Sequence, residues 1–118
     1  MASVIGFTLA VVKMDDMLDF YSRVFKISFN RIQRFNTKMY QGNWDSLELL
    51  FCPAHLANNK AEQNRHQFNV IVDDIQKSIN LVTANNGILI GEISKDESFL
   101  SIGCYDPDKN SIVLKQYA

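Results

Sequence analysis

Two cysteines, two prolines, five glycines and a single tryptophan are all that the 118 residues contain of these types. So few cysteines exclude a disulfide-built scaffold, and a chain of this size with a full apolar complement does not need such a staple. Cys52 and Cys104 are therefore expected as reduced, buried strand residues. The scarcity of glycine and proline excludes collagen-like and low-complexity chains. An excess of one charge is also missing, since the net charge is −1; without a basic face to neutralise phosphates, a nucleic-acid partner is not expected. No apolar run approaches the length of a membrane span. Val4 to Val12 is only strand-length, with no basic residue before it to serve as the n-region of a signal peptide. The expectation is one cytoplasmic domain spanning 1–118, with no membrane partner. What the chain does have, 47% hydrophobic and 21% charged residues, is enough for one core.

The apolar pattern sets the elements. Gly6 to Val12 reads as a strand, and Met17, Leu18, Phe20, Tyr21, Val24 and Phe25 then recur at helical spacing, with Asp15 or Asp16 placed to cap the helix. Three short strands follow: Ile27 to Phe35, with a parity shift before Ile32, then Lys38 to Gln41 and Ser46 to Phe51, the last two split by Gln41-Gly42-Asn43. A polar connection covers 54–65. The order then restarts with Phe68, Val70 and Val72 alternating, a cap at Asp73-Asp74, a stripe of Ile75, Ile79 and Val82, and a stop at Asn86-Gly87. Ile88 to Ile93, Phe99 to Tyr105 and Ser111 to Tyr117 read as strands, the last two joined by Asp106-Pro107-Asp108-Lys109-Asn110. The unit βαβββ thus occurs twice, and Val11-Val12-Lys13-Met14-Asp15-Asp16-Met17 is echoed by Val70-Ile71-Val72-Asp73-Asp74-Ile75.

Four pieces in this order, Phe20-Tyr21, Val24-Phe25-Lys26-Ile27, Val72-Asp73-Asp74-Ile75 and Asp106-Pro107-Asp108-Lys109-Asn110 before Ile112-Val113-Leu114, resemble the vicinal oxygen chelate superfamily. That superfamily holds glyoxalase I, extradiol dioxygenases, bleomycin-resistance proteins and metal-fosfomycin transferases. The resemblance covers nearly the whole chain and implies an α+β fold: two βαβββ modules forming curved mixed sheets around a cleft, helices outside. Module one is 1–53, the linker 54–65 and module two 66–118. Lys26 and Lys109 stand where the family usually has glycine; a left-handed lysine costs about 1 kcal/mol or more, so those turns are expected to differ in detail. The family's metal-using members place one ligand on the first and fourth strands of each module. Carried over, those positions fall on Gly6 (or Phe7), Glu48, Gln67 and Val113. One carboxylate and one amide are too few for a divalent ion, so no metal and no cofactor are expected.

The other ligand types are weaker still. Strand parity turns His66 away from the cleft if Gln67 faces it. Cys52-Pro53-Ala54-His55 has a Cys-x-x-His spacing but lacks the second closely spaced pair of a zinc site. The candidate ligand-binding residues are Glu48, Gln67, Trp44, Thr8, Asn69 and Arg31, with Gln67 or Arg31 able to satisfy the Glu48 carboxylate. Trp44 is either a lid over the core or a platform for a planar ligand. The leading expectation is a metal-independent small-molecule binding protein of the glyoxalase/bleomycin-resistance type, a homodimer whose ligand carries an amine. The alternatives are a metal-independent lyase or isomerase with Glu48 as general base, and an interaction module whose cleft is filled by its own side chains.

Overall fold

In the computed structural model, which describes residues 4–34, 36–56 and 64–118, the chain runs β1 (Gly6–Val11), α1 (Met14–Val24), β2 (Phe29–Arg34), β3 (Thr37–Trp44), β4 (Leu47–Pro53), then β5 (Gln67–Ile71), α2 (Ile75–Ala84), β6 (Ile88–Lys95), β7 (Phe99–Tyr105) and β8 (Ser111–Tyr117). The expected strand end at Phe35 and linker positions 57–63 lie outside the described residues. Two four-stranded sheets result, ordered β1-β4-β3-β2 and β5-β8-β7-β6. In each, the first strand pairs parallel to the fourth and the rest pair antiparallel. The fold is α+β with a repeated βαβββ module, as the repeat implied. No helix among the described residues is long and apolar enough to cross a membrane.

Strand parity gives each sheet two different faces. Leu9, Val11, Leu49 and Phe51 of the first sheet, and Ile102, Cys104, Ile112 and Leu114 of the second, join Phe20, Tyr21, Ile79 and Val82 of the helices in one core that crosses between the modules. A fully buried Leu, Ile or Phe stabilises by about 1.5–3 kcal/mol, so this shared core binds the modules together. On the other face of the first sheet, Met39, Leu50 and Cys52, with Ile32 against them, form a small separate cluster. That cluster explains Ile32 without a parity shift: β2 pairs in unbroken register from Phe29 to Arg34, and Ile32 simply serves the second face. Nor do Gln41-Gly42-Asn43 make the turn after β3. The strand runs on to Trp44, and the reversal falls at Asp45, whose φ is 54°. Gly42 is needed inside the strand because a Cβ there would lie 2.7 Å from Ile27 and 2.9 Å from the carbonyl of Ser28.

The helix ends separate the modules further. Asp74 caps α2, its carboxylate accepting from the Lys77 amide at 3.1 Å. Neither Asp15 nor Asp16 caps α1; both sit inside its first turn, and Lys13 at the cap position offers no side-chain acceptor. The chain entering the helix is held instead from module two, where Asp108 accepts from the amides of Val12 and of the cap residue Lys13 at 2.8 and 2.9 Å. The same β7–β8 turn carries the buried Asp106, which accepts from the Tyr21 hydroxyl at 2.9 Å and from the Asn110 amide groups. Burial pushes the Asp106 carboxyl up from its ordinary value, while donors from Asn110 and Tyr21 pull it back. Asn110 in turn holds Asn64, which bonds both the amide and the carbonyl of Ala10 on β1. Lys26 and Lys109 do adopt the left-handed conformation, at φ 60° and 66°, the backbone region that favours glycine.

Candidate functional site

A cavity of about 870 Å³ opens between the modules. Its module-one side is built from the C-terminal end of α1, Phe7 of β1 and the β3–β4 hairpin; its module-two side from β5 and the first turns of α2. The strands bring their helix-side residues to it by parity, which is how Trp44, Leu49, Phe68 and Val70 share one space. An aromatic wall crosses it. The Trp44 ring lies 5.0 Å from Phe25 and 5.0 Å from Phe68, and Phe68 lies 5.7 Å from Phe7.

Of the six expected ligand-binding residues, Trp44 lines this cavity with its ring, and Glu48 and Asn69 stand at its edge, their side chains on the faces of their strands away from the core. Trp44 both leans on the core, 5.9 Å from Tyr21, and lines the cavity. Thr8, Gln67 and Arg31 do not border it. Thr8 points to the open face of its sheet. Gln67 donates to the Ser111 hydroxyl at 2.7 Å at the far end of β5, so it does not satisfy Glu48. Arg31 pairs across from Tyr40 and shares the face of Phe29, opposite to that of Glu48. Gln41 and Arg34 take its expected place: the Gln41 amide donates to the Glu48 carboxylate, and the Arg34 guanidinium stands 4.0 Å from it, with the Glu48 side chain 36% exposed.

His66 lies on the Phe68 side of β5, its ring 4.4 Å from that of Phe68. Its Nε2 is buried with no hydrogen-bond partner among the described residues, and burial lowers its pKa. Cys52 and Cys104 are free and buried. Burial raises both thiols, and Cys104, with the charge of Asp106 beside it, is pushed up to about 12. Neither is poised as a nucleophile.

The family's metal positions can be tested on the register. Gly6 pairs with Glu48, and the matching pair in module two is Asn69 with Val113, so Asn69 rather than Gln67 is the counterpart of Gly6. Position 6 has no room for a side chain, since a Cβ would meet the Glu48 carbonyl oxygen at 2.7 Å. Glycine, glutamate, asparagine and valine make a donor set that does not fit a divalent ion. Among the described residues, no group of three or more His, Cys, Asp or Glu is placed to hold a metal ion.

No protein-family model matches the sequence, and no curated protein does. Solved structures do match along the whole chain. A glyoxalase/bleomycin resistance protein/dioxygenase family enzyme from Burkholderia phytofirmans PsJN superposes with a TM-score of 0.78 at 15% identity, covering 99% of this chain and 100% of that one. This is the vicinal oxygen chelate fold. The same fold is shared with the hypothetical protein SA1046 from S. aureus, at TM-score 0.80 and 18% identity over 98% of this chain and 95% of that one. It is shared also with TnmS3, an antibiotic binding protein from Streptomyces sp. CB03234, at TM-score 0.76 and 15% identity over 100% of this chain and 98% of that one. At these identities the likeness is one of fold. Phe25 and Phe68 were legible in the sequence as periodic apolar residues and not as site residues, because spacing tells which way a side chain faces and not whether the space before it is filled.

Proposed function

We propose that the protein is a metal-independent small-molecule binding protein, holding its ligand in the cleft between the modules by sequestration, in the cytoplasm and as a homodimer. The observation that carries the reading is the cavity of about 870 Å³ between the modules, walled by Trp44 and Leu49 of one and by Phe68 and Val70 of the other, with Glu48 and Asn69 at its edge, a volume within the ~300–1,000 Å³ of small-molecule sites. That TnmS3, of the same fold, is an antibiotic binding protein supports such a role. Binding is favoured over catalysis by the state of Glu48. Its carboxylate already accepts from Gln41, lies 4.0 Å from Arg34 and is 36% exposed, a solvated placement that gives a general base little advantage. A ligand donor such as an amine would complete its remaining acceptor capacity. The dimer is supported by the outer face of the second sheet, where Ile71, Ile88 and Ile90 stand exposed.

Ser78, half-buried on α2 beside the core stripe, lines the cavity, so Ser78→Trp fills it. Small molecules that raise the melting temperature of the wild type are expected to lose that effect in Ser78→Trp while the unliganded melting temperature stays within a few degrees. Ligands that stabilise both proteins equally would place binding elsewhere and reject the reading.

A further inference from the structure

We propose that the edge of β2 is a second binding surface, which takes an extended acidic segment of another protein as an added strand of the first sheet. β2 is the last strand in the order β1-β4-β3-β2, so its outer edge pairs with no strand among the described residues. It is also regular, its six residues keeping unbroken register with β3 from Phe29 to Arg34. Its outward amides and carbonyls therefore stand in the straight row that an incoming strand needs. The other three edges are occupied or broken. Asn64 bonds the amide and the carbonyl of Ala10 on β1, Phe68 of β5 packs on Phe7 of β1, and β6 shifts register between Ile90 and Ser94, with Gly91 at φ 72°.

The side of β2 that faces α1 supplies the means to select a partner. A groove of about 600 Å³ runs between α1 and the start of β2, with Leu18 and Ser22 on its helix wall and Phe29 and Tyr40 on its sheet wall. Phe29 is anchored on Phe51, ring to ring at 4.7 Å, so the groove has a fixed apolar floor. Side chains of an added strand alternate between faces, and every second one is directed to the groove side. Arg31 follows Phe29 on the same face, and Lys38 lies on that face of β3, opposite Gln33. Both are exposed, and among the described residues neither forms an ion pair. Asp19 and Lys26 also line the groove and their charges offset, so the bases of the two strands set the sign. The matching segment has an apolar side chain for the groove and an acidic one two positions before it, in the antiparallel orientation, the more stable per residue. A second copy of β2 does not fit, because like charges would then face each other across the edge.

The probe is the peptide acetyl-Thr-Glu-Thr-Glu-Thr-Leu-Thr-amide, with two relatives. One has lysine for both glutamates; the other is methylated on the backbone nitrogens of the second glutamate and the next threonine, so that a donor is lost whichever edge meets β2. In heteronuclear NMR of the nitrogen-labelled protein, the acidic peptide is expected to shift the β2 amides saturably. The lysine and methylated relatives should each bind at least about tenfold more weakly. The double variant Arg31→Gln, Lys38→Gln should weaken the acidic peptide about fivefold at an unchanged melting temperature, because both charges are exposed. Ser78→Trp, which fills the cleft, should leave peptide binding unchanged, so the two surfaces stand or fall separately. Equal binding of the acidic and lysine peptides overturns the acidic partner, and equal binding of the methylated peptide overturns strand addition. Shifts gathered on β6 or around the cleft instead of β2, or no saturable shift at millimolar peptide, overturn the surface itself.

Discussion

Glu48 illustrates how one residue's surroundings set the size of an effect. Were it buried and unpaired, neutralising it would cost a bound cation several kcal/mol. Here its carboxylate accepts from the Gln41 amide and stands near Arg34 at 36% exposure, so Glu48→Gln should weaken an amine-bearing ligand by only about 1 kcal/mol, roughly fivefold. Titration calorimetry of the two proteins checks this, and a change beyond about a hundredfold would mean that Glu48 is desolvated on binding. His66 makes a second case. Burial lowers its pKa in the folded chain, so as pH falls below the ordinary histidine value of about 6.5 the unfolded chain takes up the proton first and stability is lost. His66→Phe removes both that proton uptake and the unpartnered Nε2. The variant should be more stable by about 1 kcal/mol at pH 7.5, with the gain larger at pH 5.5. Urea midpoints at the two pH values measure it; equal gains at both would show that His66 does not titrate in this window.

Elements show what a local pattern contains and what it leaves out. The eight strands and two helices follow from apolar periodicity because their burial is periodic: Met17, Phe20, Tyr21 and Val24 are buried on one stripe of α1, and Ile75, Ile79 and Val82 on one stripe of α2. The acidic pair before each helix looked alike in sequence, yet only Asp74 caps. The acceptor that holds the entry to α1 lies 95 residues away at Asp108, which no local rule reaches. Gly42 misled for the converse reason, since Gln-Gly-Asn is good turn chemistry while the actual demand was close passage of the chain at Ile27 and Ser28. The candidate site was legible only in part. Parity put Glu48 and Gln67 on one kind of face and His66 on the other, but which face borders the cavity was read the wrong way round, since Gln67 turns to Ser111 while His66 shares the side of Phe68. Arg34 stands by Glu48 in place of Arg31 because a contact across strands depends on register, which spacing does not supply. The Asp108 contact across modules carries its own test. Asp108→Ala removes an acceptor from the amides of Val12 and Lys13 and should cost about 1 kcal/mol, lowering the melting temperature by roughly 3–6 °C. Asp108→Asn, which keeps one acceptor oxygen but turns its amide NH2 toward the other N–H, should restore at most about half of it. Equal losses in both variants would point to the charge rather than the hydrogen bonds.

The molecule as a whole is one core with two unlike outer faces. Tyr21, Asp106, Asn110 and Asn64 tie β1 and α1 to the β7–β8 turn, so the modules hold together and the cleft between them is preformed within a single chain. The outer face of the second sheet is a different matter. Ile88 is 55% exposed and Ile90 41%; they stand opposite Tyr105 and Gly103 in the β6–β7 register, on the side away from the buried Ile102 and Cys104. With Ile71 and Tyr117 exposed on the same sheet, this is an apolar surface of the kind that marks an interface, and a second copy is its commonest occupant. Ile90→Glu places a carboxylate at its centre. Sedimentation equilibrium at micromolar concentration should give a dimer mass for the wild type and a monomer mass for Ile90→Glu, because a desolvated charge with no partner costs an interface several kcal/mol. The monomeric variant should fold with nearly unchanged stability, since an exposed isoleucine contributes little to the core. It should also bind the same ligand in the cleft within about threefold of the wild type, the cavity lining being supplied by one chain. A wild-type monomer, or a dimer that survives Ile90→Glu, would remove the second copy from this face, and a monomer that has lost its ligand would show that the partner completes the site.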